Sequence, residues 1–513
     1  MILTKSVIGL VLLSINCFVS GSFLLGNPKL GKISHSDAHA RIFSASNRPA
    51  NETAEKESLP ARYGTFYMDM PLDHFAKDNV TFRNRYWVNT DYYQPNGPII
   101  FANGGEAAVD SPAFTMVNTT MAQLAKKLNG AFIFMEHRFY GDSRPLANGF
   151  NYSTEVISKL NTDQALADMA YLLKNVKFAD KEIPSVPETK VIVYGCSYSG
   201  NLAAWMKRKY PELVYAAVAS SAPVQAQFDF YQYFDPIIRY GRPACIQAIE
   251  QMIAYVDKIL SGSSTQAVNE LKQLYGVPDL YDDDFASYLT TAIASYWQYG
   301  VSATNDQFEE LICKKTFNSS SVEENAKSYA NLLRPYVNQT YCEDYKDMTT
   351  CLDSHNATSI QEQKATNPDN AAWMYQTCTE YGYFQTASPK GYPTVVSRKL
   401  DIKWFERTCK LYFGNQVPKR PKISEFNKKY KGWNINLDRI LWIDGEYDNW
   451  RELSVHSPSV KRSFDGNQTL SIIIPKATHC LNYNGITEKT PQYLRDIQEL
   501  QYTTLKKWLD QAN

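Results

Sequence analysis

The sequence has no surplus of either charge: 53 Lys and Arg face 53 Asp and Glu, and no long block carries one sign. The electrostatic footprint that a nucleic acid or an anionic membrane surface would require is missing, which excludes those partners. There is no Cys-X-X-Cys and no His/Cys cluster at zinc spacing, so no metal is expected, and no motif calls for an organic cofactor. Internal repeats are absent. Histidine is scarce, with seven in 513 residues, so any imidazole-dependent chemistry has few candidates. What is plentiful is apolar residues, at 44%, which excludes a disordered or fibrous chain and fits one large domain with an insertion, or two domains.

The N-terminus places Lys5 before an apolar run from about Ser6 to Val19, followed by Ser20, Gly21 and Ser22. This is the pattern of a cleaved signal peptide, with an uncleaved anchor as the alternative. The run is shorter than the roughly 20 residues that span a bilayer, and none like it follows, so no membrane span is expected in the mature chain. Eight Asn-X-Ser/Thr sequons, at Asn51, Asn79, Asn118, Asn151, Asn318, Asn338, Asn356 and Asn467, agree with a secretory route. Of nine cysteines, Cys17 leaves with the signal, and the remaining eight permit disulfides whose connectivity the spacing does not fix.

Residues 1–22 are thus read as signal peptide and 23–60 as a polar linker or propeptide. From 61 to 227 short apolar runs (86–89, 98–102, 131–135, 191–194, 215–219) lack polar alternation and are separated by helical patterns such as 162–176. That is the mark of a buried parallel sheet. From 228 to 390 amphipathic helical stretches dominate, at 246–260, 285–299 and 322–333, with five cysteines among them. This block reads as a helical insertion. The sheet resumes within 391–513, at 439–443 and 470–474, before a closing helix at 492–508.

One stretch carries chemistry. Lys190 to Trp205 reads KVIVYGCSYSGNLAAW, a buried strand and a helix joined by only GCSYS. So sharp a reversal strains its central residue and requires small side chains two positions to either side, which Gly195 and Ser199 supply around Ser197. The turn lifts the Ser197 hydroxyl above the sheet edge, and the Tyr198 N–H at the helix start points to where an oxyanion would form. A second N–H is expected from the loop Asn103-Gly104-Gly105-Glu106, from Gly105, with an ordinary glycine turn as the bland alternative.

A serine nucleophile needs a base, and in an α/β-hydrolase the order is serine, acid, histidine. His35, His39, His74 and His137 precede the serine, and His355 lies in the helical block without a late strand before it. Only His456 and His479 remain. The strand 439–443 runs into Asp444-Gly-Glu-Tyr-Asp448, and the strand 470–474 runs into Pro475-Lys-Ala-Thr-His479. His479 therefore occupies the triad position, whereas position alone leaves Asp444 and Asp448 both open as the acid.

The chain from Phe66 to Leu509 resembles the serine peptidase family of lysosomal Pro-X carboxypeptidase, dipeptidyl peptidase II and thymus-specific serine protease. The resemblance rests on ordered motifs: PLDHF, RYWVN, GGE, EHRFYGDSRP, DQALADMA, GCSYSGNLAAW, YQTCTEYGYF, DGEYDNW and THCLN. It implies an α/β-hydrolase core with a largely helical cap and a triad of Ser197, Asp448 and His479, because Asp448 aligns with the family acid. It further implies peptide substrates with a preference for proline, substrate contacts from Glu106, Glu380 and Trp450 in matching motifs, a Cys378–Cys409 disulfide, a homodimer, and a secreted or lysosomal location. Three positions depart from the family: Cys196 for a glycine, Asn449 for a proline and Asn482 for an aspartate. The third bears on substrate binding and leaves the mode of exopeptidase action open. An esterase or lipase on the same fold, or a catalytically silent secreted binding protein, are the rival readings.

Overall fold

The computed structural model describes residues 63–109, 112–145, 150, 152–302, 306–343, 345–462, 464 and 468–511. The expected signal peptide and linker, and the sequons at Asn51, Asn151 and Asn467, lie outside them. The other five sequon asparagines are exposed.

Ten strands are present among these residues: β1 (Phe66–Pro71), β2 (Thr81–Asn89), β3 (Ile99–Asn103), β4 (Ala131–Met135), β5 (Val191–Cys196), β6 (Ala216–Ser220), β7 (Gln227–Asp229), β8 (Gly382–Phe384), β9 (Ile440–Gly445) and β10 (Thr469–Ile474). Eight form one sheet in the order β1-β2-β4-β3-β5-β6-β9-β10. The six from β4 to β10 run parallel, and β2 and β1 add antiparallel at one edge. This mostly parallel sheet, covered by helices on both faces, is an α/β-hydrolase core. Alternate residues of a strand point to opposite faces, and here both faces are buried. Phe101, Ile133, Val191 and Val193 enter one core, and Ile100, Phe132, Ile192 and Tyr194 enter the other.

That double burial explains why the parallel strands read as unbroken apolar runs, and why β1, an edge strand with five of six residues at least partly exposed, did not. The chain passes from β3 to β4 on one side and then to β5 on the other side of β3. Open α/β sheets bind ligands at such a reversal, beyond the carboxyl ends of the two strands. Those ends are Asn103 and Cys196, next to Gly104-Gly105-Glu106 and Ser197.

Between β6 and β9 the chain is predominantly helical, with Pro243–Leu260, Asp282–Gly300 and Val322–Val337 as its longest members. β7 and β8 pair in parallel where this helical stretch begins and ends, Phe230 N–H adding a bond to Phe384 O at 2.7 Å. Three residues each, they are too short to register as a pattern in sequence. Cys245–Cys313 and Cys342–Cys351 lie within the stretch, and Cys378–Cys409 ties its end to the helix Ile402–Phe413. No described helix is long and apolar enough to cross a membrane.

The Cys378–Cys409 bond closes a loop of 31 residues, which contributes roughly 3 to 4 kcal/mol in the chain-entropy treatment. Non-reducing peptide mapping of the native protein is expected to recover the two cysteines in one linked pair. Recovery of both as free, alkylatable thiols would contradict it.

Candidate active site

Ser197 follows β5 directly and precedes the helix Tyr198–Lys209. Its backbone has φ 59° and ψ −133°, a left-handed region that a residue with a side chain enters only under compulsion, at about 1–3 kcal/mol. The compulsion is visible around it. A Cβ on Gly195 would lie 2.0 Å from the Ser199 carbonyl oxygen, and one on Gly200 would lie 2.7 Å from that of Ser220, so both must be glycine. Ser199 tolerates its side chain because the hydroxyl turns away to donate to Asn103 O. The crowded second glycine of the turn is thus Gly200. Ser197 N–H donates to Ser220 O (2.9 Å) and Ser197 O accepts from Asn201 N–H (3.0 Å), which pins the elbow to β6 and to its own helix.

The Tyr198 N–H, the first of its helix, has no partner one turn earlier. Its side chain is fixed: the hydroxyl accepts from Gln376 Nε2 at 2.8 Å and contacts Tyr381 and His137. Burial lowers His137 to about 4, so its ring is neutral. Nδ1–H donates to Arg138 O at 2.7 Å, which leaves Nε2 to accept from the Tyr198 hydroxyl at 3.1 Å.

The acid loop and the histidine loop meet beside the elbow. His479 Nδ1 lies 2.9 Å and 3.0 Å from the two oxygens of Asp448, whose Oδ1 also accepts from Trp450 N–H at 2.8 Å. Both side chains are fully buried. His479 Nε2 has no hydrogen-bond partner among the described residues. A disulfide joins Cys480 to Cys196, so the residue after the histidine is covalently fixed to the residue before the serine. Asn482 reinforces the link, accepting from Ser220 Oγ (2.6 Å) and donating to Tyr194 Oη (3.0 Å). Both of its amide atoms are used inward, so this departure from the family bears on support of the loop. Asn449 is likewise buried and donates to Tyr233 O at 2.7 Å, a bond proline could not make.

The helical stretch covers this site. Gln298, on Asp282–Gly300, accepts the His479 N–H through its carbonyl (3.3 Å) and the Trp450 indole N–H through its side chain (3.2 Å). Trp297 donates to Tyr447 O at 2.9 Å. Only 7% of Ser197 is exposed. Nothing in the sequence marked Gln298, because its role comes from a contact across some 180 residues of chain.

The remaining candidates separate. The Gly105 N–H, expected as the second oxyanion donor, donates to Asn103 Oδ1 at 2.9 Å. The loop does approach the elbow, since a Cβ on Gly105 would lie 3.7 Å from Ser199 Cβ. Glu106 is buried, near enough to Tyr198, Tyr140 and His137 to act on them electrostatically. Trp450 is buried against Phe230, Tyr233, Tyr383 and His479, a wall behind the imidazole. Glu380 accepts from Thr162 N–H and Oγ1, both at 2.9 Å, at the N-terminus of the helix Thr162–Asn175. There it anchors a helix start with its carboxylate. Asp444 does not join His479; it pairs with His456, Nδ1 to Oδ2, at 2.6 Å.

Two charged networks that the motifs hinted at, without showing their purpose, hold the loops. Glu136 accepts from Arg85, Val109 N–H and Ser143, and Arg138 forms a two-pronged pair with Asp168 at 2.5 and 2.6 Å while His74 holds the same carboxylate at 2.7 Å. Burial pushes the Glu136 carboxyl up against the opposing pull of Arg85. At Asp168 burial acts in the same direction, but Arg138 overrides it and holds the acid low.

A family model described as "Serine carboxypeptidase S28" matches residues 70–500. The chain is similar to the "Probable extracellular serine carboxypeptidase" of Arthroderma benhamiae, 29% identical over 92% of this chain and 71% of that protein. It is similar to "Serine protease vicPb" of Bipolaris victoriae, 32% identical over 75% of this chain and 77% of that one. The "Thymus-specific serine protease" of Mus musculus is 28% identical over 86% of this chain and 87% of its own length.

Burial raises Glu380 from 4.5 to about 7, with the Thr162 bonds opposing. A carboxyl raised by folding binds its proton more tightly in the native state, so its stabilising effect is complete below about 4.5 and fades as pH rises through about 7. Glu380→Gln is expected to flatten the fall of Tm between pH 5 and 8. An unchanged Tm-versus-pH curve would show that Glu380 does not titrate between the folded and unfolded states in this range.

Proposed function

The chain belongs to the serine carboxypeptidase S28 family and is a serine-type peptidase, and on that premise we propose that Ser197, His479 and Asp448 are the triad with which it shortens small peptides from the carboxyl end, at proline-containing sites. The observation that carries the assignment is the Asp448–His479 pair, buried and fixed by the Cys196–Cys480 bond next to a serine held at positive φ.

In this reading the imidazole, its Nδ1–H held by Asp448, presents Nε2 as the base. It takes the proton of Ser197 as Oγ attacks the scissile carbonyl. Asp448 stabilises the imidazolium that results, and the Tyr198 N–H steadies the developing oxyanion. The imidazolium then gives its proton to the leaving amine, and water repeats the sequence on the acyl-enzyme. Gly105 serves as a second donor only by exchanging Asn103 Oδ1 for the oxyanion. No cofactor enters the scheme.

The helical stretch over Ser197 supports a preference for short peptides over folded proteins. Four disulfides fit a chain that matures along the secretory pathway, and the extracellular relative supports secretion over retention in lysosomes. A carboxypeptidase hydrolyses N-acetylated Pro-X peptides and leaves C-terminally amidated ones untouched; the reverse pattern would overturn this mode.

Ser197→Ala and His479→Ala are each expected to lower kcat by about 10⁴-fold or more, and Asp448→Asn by about 10⁴-fold through the wrong imidazole tautomer. Asp444→Asn should be far milder. Equal, large losses for Asp444→Asn and Asp448→Asn in folded proteins would overturn the choice of acid.

Replacing both Cys196 and Cys480 by serine unlinks the elbow from the histidine loop. The expected result is a fall in kcat with KM little changed, read in protein whose secondary structure is intact. Unaltered kcat in a folded double variant would show that the bridge does not position the triad.

A further inference from the structure

A second serine–histidine–aspartate chain lies away from the elbow. Asp444 Oδ2 is 2.6 Å from His456 Nδ1, and His456 Nε2 is 2.6 Å from Ser471 Oγ. Asp444 is itself oriented, accepting from Ser454 Oγ at 2.7 Å, and the same hydroxyl accepts the His456 N–H at 3.0 Å. Aspartate and imidazole are nearly buried, at 2% and 4% exposure of their side chains, with Phe464 against the ring. Ser471 is exposed, on β10 at the open edge of the sheet. The aspartate can only accept, so Nδ1 carries a proton. In the neutral ring Nε2 is then a lone pair directed at the serine hydroxyl. This is the arrangement of an activated nucleophile, a base within hydrogen-bond reach of a hydroxyl and oriented by a third group.

We propose that Ser471, with His456 as base and Asp444 as its orienting acid, is a second nucleophile that is acylated once by small activated esters. Ser471 Oγ bonds to the ester carbonyl carbon, the carbon–aryloxide bond breaks, and the Oγ proton passes to His456 Nε2 and from there to the leaving aryloxide. The surroundings also determine where the reaction stops. In a strand the side chain stands perpendicular to the sheet while the backbone N–H groups lie within it, so they do not converge on an oxyanion at Ser471. Among the described residues Ser471 lies mid-strand with no helix starting directly after it, in contrast to Ser197. The acyl group accordingly stays on. Exposure admits any small electrophile, and the missing oxyanion hole confines the chemistry to reagents with a good leaving group.

The test uses full-length Ser197→Ala protein, so that its outcome is independent of the peptidase assignment. Incubation with p-nitrophenyl acetate is expected to release about one equivalent of p-nitrophenolate in a burst, with one acetyl group mapped to Ser471 by peptide mass spectrometry. His456→Asn in the same background should slow that acetylation about 10²-fold, the lower end of a general base's contribution. Asp444→Asn should slow it too, and Ser471→Ala, an exposed change, should abolish it. Absence of an adduct at Ser471, an adduct on another residue alone, or equal rates with and without His456 would each overturn the proposal.

Discussion

The turn after β5 sets the position of every other part of the site. A parallel strand delivers the chain to the sheet edge and a helix must start at once, so Ser197 is held at φ 59° between Gly195, pressed on the Ser199 carbonyl, and Gly200, pressed on the Ser220 carbonyl. Two glycines and two backbone bonds hold one strained serine. Once that geometry exists, the N-terminus of the Tyr198–Lys209 helix, the end of β3 and the loops after β9 and β10 all converge on the reversal in strand order.

Other features of the molecule keep those loops where the turn needs them. Asn103 accepts from Ser199 with its carbonyl and from Gly105 with its side chain, coupling the glycine loop to the elbow. The buried Glu136 and Arg138 networks hold the segments behind it, and removal of one partner there would leave an uncompensated buried charge, which is strongly destabilising. The Cys196–Cys480 bond performs for the histidine loop what hydrogen bonds perform for the glycine loop. From the opposite side Gln298 and Trp297 close over the acid and histidine, which makes the helical stretch part of the site.

Much of this was legible in the sequence because it is local. The parallel strands announce themselves as apolar runs, and the elbow as a glycine and two serines between a strand and a helix. The order of acid and histidine follows from the strands that precede them. What was hidden depends on distance in the chain. Cys196 reads as a substitution beside the nucleophile until it meets Cys480, 284 residues later. Gly105 reads as an oxyanion donor, and the bond from its N–H to the Asn103 side chain has no signature in the sequence. The bond from Thr162 N–H to Glu380, at a helix start, joins residues 218 apart and is equally silent in the sequence. His456 and Asp444, each weighed against its neighbour for one role, turn out to be bonded to each other.

Everything in this mechanism turns on Ser197 as the nucleophile and His479 as its base. Reaction with a fluorophosphonate, followed residue by residue with peptide mass spectrometry, tests it most directly. The expected result is an adduct on Ser197 whose rate of formation falls by at least about 10³-fold in folded His479→Ala protein, since a triad acts as a unit. An unmodified Ser197 in native protein, or a Ser197 modified equally fast without His479, would contradict it.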